Sequence, residues 1–140
     1  MSRTRAALAG AAAALVWAAE EPVDRRLLRH DYSDVAMLGK LVTRSRWWPV
    51  AGLAVHAANG AAFGLAFDFA QRSLGPPPRG LALRLALAEN ALLFPLGAAI
   101  DRFHPARGEP GLAPLLTVRG FVQSTARHAL FGVVLGRLAR

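Results

Sequence analysis

The residues 47–67, WWPVAGLAVHAANGAAFGLAF, form a run of twenty-one residues without a formal charge. A helix of about 20 predominantly apolar residues spans the ~30 Å hydrocarbon core of a bilayer. Trp47 and Trp48 stand at the start of the run, where aromatic rings favour the headgroup region, and two arginines precede them. The run therefore predicts a membrane-spanning helix over about 48–70.

Three further segments are apolar but carry polar residues inside them, and we predict spans there too, over about 6–27, 81–101 and 118–138. Ionisable residues inside a membrane normally face a bundle interior, so the four spans are expected to turn them towards one another. The sequence predicts an all-α protein, an integral membrane four-helix bundle in a single membrane domain over 1–140. Proline-rich stretches at 75–80 (GPPPRG) and 104–114 separate the later spans.

The composition favours the same environment. The chain is 54% hydrophobic and 19% charged, whereas soluble domains have about 25% charged residues. The net charge is +8, but the basic residues mostly flank apolar runs, which indicates lipid headgroups rather than nucleic acid as the partner. We expect a multi-pass protein of a bacterial inner (plasma) membrane. The basic residues fall almost equally at the two ends of the spans, so they predict no orientation.

Two segments admit a second interpretation. The first apolar run, behind Arg3 and Arg5, has features of a cleavable signal peptide, although Trp17 beside the cleavage position is unfavourable. The segment 33–46 places Val35 and Leu38 on one helical face and predicts a helix lying in the membrane interface. An amphipathic helix packed on the bundle explains the same pattern.

The chain also contains a repeated sequence pattern. HAANGAAFG at 56–64 and HALFGVVLG at 128–136 share the spacing H-x-x-x-G-x-x-x-G. The first and third spans each pair an internal glutamate with a Val-Asp-Arg or Ile-Asp-Arg exit. We interpret this as two duplicated helical hairpins, about 1–72 and 80–140, arranged as parallel repeats.

Small residues four apart lie on one helix face and let membrane helices approach closely. We therefore predict helix-packing roles for the glycines of the second and fourth spans, which are Gly52, Gly60, Gly64, Gly132 and Gly136.

Ionisable residues well inside the spans form a predicted polar intramembrane centre. Its members are Glu20, Glu21, His56, Glu89, Arg127 and His128. Mutual pairing that holds the helices in register is the first interpretation. A proton or ion path is the second. A haem held between His56 and His128 is the third. The Glu-x-x-His pattern of bundle metal sites is absent, so we predict no metal ligands and no cofactor.

The sequence lacks the usual enzyme motifs, including G-x-S-x-G, the P-loop and H-E-x-x-H. Asp101, His104 and Glu109 lie in a segment rich in glycine and proline, which favours a solvated loop over a metal site. We expect a non-enzymatic membrane protein. The alternatives are a small transporter or a proton- or ion-conducting subunit, for which a homo-oligomer is expected, and a single-haem b-type cytochrome.

HAANGAAFG at 56–64, followed by LALAENALLFPLG at 85–97, resembles the pattern of small uncharacterised four-span bacterial inner-membrane proteins that are grouped as domains of unknown function. The resemblance implies a location and a helical fold, and it implies no activity.

Overall fold

The helices follow the apolar runs of the sequence and end at residues that cap or break them. The computed structural model describes residues 2–74 and 79–139. Its helices are α1 (Arg3–Leu27), α2 (Asp34–Val42), α3 (Trp48–Ser73), α4 (Leu81–Leu93), α5 (Gly97–Phe103) and α6 (Val118–Leu138), and a 3₁₀ turn over Phe94–Leu96 joins α4 to α5. This described part is helical without strands, which confirms the predicted all-α class. The predicted break at 75–80 includes residues 75–78, which lie outside the described residues.

Three helical segments of the described chain are long and apolar enough to cross a membrane: Arg3–Leu27, Trp48–Ser73 and Leu81–Phe103. At ~1.5 Å per residue, the first two are each about 38 Å long. The third matches the span predicted over about 81–101, and a 3₁₀ turn over Phe94–Leu96 interrupts its α-helical hydrogen bonding, because Pro95 has no N–H to donate. The fourth predicted span, 118–138, coincides with α6 but is not among the three.

Short side chains bring α1 and α3 into backbone contact. A Cβ added at Gly10 would lie 2.0 Å from the Gly60 carbonyl oxygen, and one added at Gly64 would lie 2.1 Å from the Ala6 carbonyl oxygen. On α3, Gly52 faces the backbone of Val35 in α2. Any larger residue would separate these helices, so the small-residue positions fix the spacing of α1, α2 and α3.

In the second half, α6 approaches α4 closely at Gly132. A Cβ on Gly132 of α6 would lie 2.6 Å from the Cα of Leu83 in α4. At Gly136 the nearest atom would be the Ala82 Cβ at 3.5 Å, an ordinary contact that leaves room for alanine.

The long helices are arranged in the order α3, α1, α6, α4, and α3 barely touches α4. The bundle is therefore open along one side. Its core combines small residues with a few large ones, and the buried members of this core are Ala9, Ala13, Ala14, Trp17, Phe67, Leu81, Ala82, Ala86, Phe131 and Leu135.

The connections at one end of the bundle form a layer with α2. The helix predicted over 33–46 begins at Asp34 and ends at Val42. Leu41 and Val42 are exposed, whereas Lys40 is buried and pairs with Glu109 at 3.2 Å. The carboxylate of Glu109, distant in sequence, explains why the lysine lies inside.

Candidate functional site

Arg127, in the middle of α6, lies at the centre of an ion-pair cluster. Its side chain is 1% exposed. Its Nε and Nη2 donate to the two carboxylate oxygens of Asp24 on α1 at 2.5 and 2.7 Å. Its Nη1 donates to Asp34 of α2 at 2.7 Å, and Nη2 also donates to the Tyr32 carbonyl at 3.0 Å. This bidentate and branched bonding uses the fork of the guanidinium group.

Glu21 completes this group, which we call the Arg127 cluster: Glu21, Asp24, Asp34 and Arg127. A Glu21 oxygen lies 3.6 Å from Arg127 Nη1. The same carboxylate accepts hydrogen bonds from the Ser33 hydroxyl at 2.5 Å and from the Asp34 backbone N–H at 2.9 Å. It therefore caps the start of α2, where backbone N–H groups lack helical partners.

Trp17 of α1 connects the cluster with the two histidines. Its indole N–H donates to Asp34 at 3.1 Å. Its ring meets the rings of His56 and His128 edge-on, with centroid distances of 5.2 and 4.7 Å. The histidines of α3 and α6 thus both contact one residue of α1.

Next to these rings is a cleft of about 270 Å³. We call it the α3–α4 cleft, because both helices line it at the place where they barely touch. Its polar lining residues are Trp17, Tyr32, Asp34, His56, Asn59, Glu89, Asn90, Ser124 and His128. Asn59 is exposed and the Glu89 side chain is 40% exposed, so these two mark the open side.

The structure divides the predicted polar centre into these two regions. Glu21 and Arg127 belong to the cluster, whereas His56, Glu89 and His128 line the cleft. Glu20 lies in neither region; it is partly exposed and neighbours Asp24. Glu89 approaches His128 at 3.9 Å between Oε2 and Nε2, which is longer than a hydrogen bond.

The sequence reasoning missed Asp24 and Asp34 as partners of Arg127. In the sequence, Asp24 belongs to the repeated Val-Asp-Arg exit and Asp34 to the amphipathic segment 33–46. Neither pattern indicates a contact with Arg127. A usable signal was available, because a buried arginine requires carboxylates and these two aspartates flank the predicted end of the first span.

The geometry does not fit the haem alternative. A porphyrin ligated by both histidines would have to displace the Trp17 ring, which contacts both imidazoles and is anchored to Asp34. Within residues 2–74 and 79–139, no group of three His, Cys, Asp or Glu side chains is placed to hold a metal ion.

Asp101, His104 and Glu109 each have a separate structural contact. Asp101, in α5, accepts hydrogen bonds from the backbone N–H groups of Leu115 and Leu116 at 2.7 and 2.8 Å. His104 is buried and its Nε2 lies 2.9 Å from the Met37 carbonyl. Glu109 pairs with Lys40. The first contact joins the 104–117 connection to α5, and the other two join it to α2.

Asp31 joins the connection between α1 and α2 to the connection between α5 and α6. Its Oδ2 accepts a hydrogen bond from the Gly111 N–H at 2.8 Å, and its Oδ1 accepts one from Arg25 Nε at 2.9 Å. The Gly111 bond, followed by the Arg25 contact, lowers the pKa of Asp31. Nearby, burial lowers the pKa of His30 and raises that of Tyr32.

Comparison of the chain with models of protein families, with curated proteins and with solved structures finds no match.

Proposed function

We propose that this chain is a four-span protein of a bacterial inner membrane, without enzymatic activity, in which the Arg127 cluster holds the helices in register. The observation that carries the proposal is a fully buried arginine bonded to carboxylates of α1 and α2 inside a molecule with apolar outer faces. An ionic group of this kind is stable away from water only when its charges are paired.

The orientation of α6 supports a fourth span. Its buried residues include the polar Gln123 and Arg127, whereas Phe121, Val122 and Val133 are exposed by 46%, 48% and 39%. Its mean hydropathy is lowered by polar residues that face the other helices. The surface that α6 offers to lipid is therefore more apolar than its sequence average, which favours a membrane-spanning position.

Packing also supports retention of α1 and the duplication proposal. α1 supplies Trp17, Glu21 and Asp24 to the interior, so removal of α1 as a signal peptide would leave Arg127 without its bidentate partner. In each half the first long helix packs on the last, α1 on α3 and α4 on α6. This agrees with two hairpins of about 1–72 and 80–140.

Single-cysteine labelling tests the topology, because the natural chain has no cysteine. The variants are Ser2→Cys, Arg79→Cys, Arg107→Cys and Arg137→Cys, each expressed alone. With four spans, a membrane-impermeant maleimide labels positions 2, 79 and 137 from one side of the membrane and position 107 from the other. Right-side-out and inverted vesicles distinguish the sides.

Labelling of positions 107 and 137 from the same side would show that α6 does not cross, and would contradict the four-span proposal. Release of the protein from membranes by alkaline carbonate would contradict the membrane location itself.

A further inference from the structure

The lining of the α3–α4 cleft differs in charge from the rest of the protein. The chain has 17 Lys and Arg residues against 9 Asp and Glu. The described residues that line the cleft include the carboxylates of Asp34 and Glu89 but no lysine or arginine. Asp34 is bonded to Arg127 and Trp17, so Glu89 is the carboxylate left facing the space. In an otherwise basic protein, the cleft offers an environment for positive charge.

His128 presents a hydrogen-bond acceptor to this space when its ring is neutral. His128 Nδ1 lies 2.7 Å from the Ser124 carbonyl, which can only accept, so Nδ1 carries the proton. In the neutral ring, His128 Nε2 is then an acceptor, and it faces the Glu89 carboxylate at 3.9 Å. In that form of the ring, two acceptors oppose each other there.

His56 of α3 has an unsatisfied ring nitrogen next to the cleft. Its Nε2 is buried and has no hydrogen-bond partner among the described residues. The side chain as a whole is 7% exposed, so this nitrogen lies behind the surface of the cleft.

We infer that the α3–α4 cleft binds an ammonium group carried on an apolar body. An ammonium has several N–H donors and no acceptor, and it matches the Glu89 carboxylate and the neighbouring His128 Nε2. The aromatic rings of Trp17, Phe63 and Phe131 also line the cleft, and such faces attract cations and pack against apolar groups. The open side between α3 and α4 gives an amphipathic amine a route of entry.

Two sources can supply such a group: a free lipophilic amine and the ethanolamine headgroup of a membrane lipid. The shared chemistry is a primary ammonium next to apolar atoms. The ammonium site does not depend on the stabilising role of the Arg127 cluster, since Glu89 and His128 are outside that cluster. A negative result for either proposal would therefore not contradict the other.

The test uses the full chain in phosphatidylcholine nanodiscs, titrated calorimetrically with 2-phenylethylamine at neutral pH. Its neutral counterpart of similar shape, 2-phenylethanol, serves as the ligand control. We expect the amine to bind roughly tenfold or more tightly than the alcohol. Glu89→Gln should weaken amine binding by a similar factor, and the matched variant Glu20→Gln, on α1 outside the cleft lining, should not.

Repeating the titration with phosphatidylethanolamine in the nanodiscs identifies the source. Weaker amine binding there indicates competition by the lipid ammonium, and unchanged binding indicates a free amine; both results uphold the ammonium site. Equal binding of amine and alcohol, no amine binding, or full amine binding by Glu89→Gln would overturn it. The melting temperature of each variant, measured alongside, ensures that folded protein is compared.

Discussion

Arg127 and His128 are neighbours on α6, yet they face polar regions of opposite character. In the Arg127 cluster, one cation is bonded to the carboxylates of Asp24 and Asp34 and approaches a third, and it is almost fully buried. In the α3–α4 cleft, the Glu89 carboxylate faces open space, and the buried Nε2 of His56 has no hydrogen-bond partner among the described residues. The first arrangement is typical of a structural element, because its groups are satisfied internally. The second is typical of a binding site, because its groups require something from outside.

The largest expected effect comes from Arg127→Met, which removes the cation and leaves buried carboxylates unpaired. Loss of one partner of a buried ion pair costs about 3–5 kcal/mol. A denaturant titration of the detergent-solubilised protein measures the free energy of unfolding. Arg137→Met is the matched control, since Arg137 is exposed in the last turn of the same helix. Equal stability of the two variants would refute the structural role of the cluster.

The seam between α1 and α3 holds Trp17 against His56, and Gly10→Ala widens it. The added Cβ would lie 2.0 Å from the Gly60 carbonyl oxygen, so the helices must separate. Overpacking of this kind costs about 1–3 kcal/mol, despite the better helix propensity of alanine. Gly136→Ala is the control, because its Cβ would meet only an ordinary contact. Thermal melting compares the two, and an unaffected Gly10→Ala protein would disprove the close seam.

Trp17→Phe breaks the connection between the two regions while it keeps an aromatic ring. It removes the hydrogen bond that the indole donates to Asp34. A hydrogen bond to a charged group contributes about 1.5–3 kcal/mol, and the partial exposure of Asp34 places the expected loss near the lower end. Trp47→Phe, at an exposed position, should change little. Chemical denaturation measures both, and similar losses would show that the Asp34 bond contributes nothing particular.

Asp31 provides a comparison with an ion pair in water, since its side chain is 54% exposed. Because its pKa is lowered in the folded protein, its contribution to stability is present above the ordinary value of 3.8 and disappears as the pH falls through the lower folded value. Asp31→Asn should therefore be slightly less stable than the natural protein at neutral pH, and the difference should vanish in strong acid. Melting temperatures across this pH range check the sign, and a difference that grew on acidification would contradict it.

The sequence allowed the helical class and the positions of most helices to be predicted, because long uncharged runs such as 47–67 leave few alternatives to a helix in lipid. The 3₁₀ turn at Pro95 also has a local cause in the sequence, which is the proline itself. The pairing of Arg127 with Asp24 and Asp34 has no local cause, since it depends on which faces of α1, α2 and α6 meet. Those faces are set by backbone approaches such as that of Gly10 to Gly60, whose consequences extend over many residues.

The contrast between a structural Arg127 cluster and a binding α3–α4 cleft is tested most directly by the free energy of unfolding of Glu89→Gln. It is measured beside Arg127→Met in the same detergent. Glu89 is partly exposed and its contact with His128, at 3.9 Å, is longer than a hydrogen bond, so its substitution should change the free energy of unfolding by no more than about 0.5 kcal/mol. Arg127→Met should lose several times more. A loss of stability in Glu89→Gln as large as that in Arg127→Met would contradict the account, because the cleft residues would then hold the fold together as the cluster does.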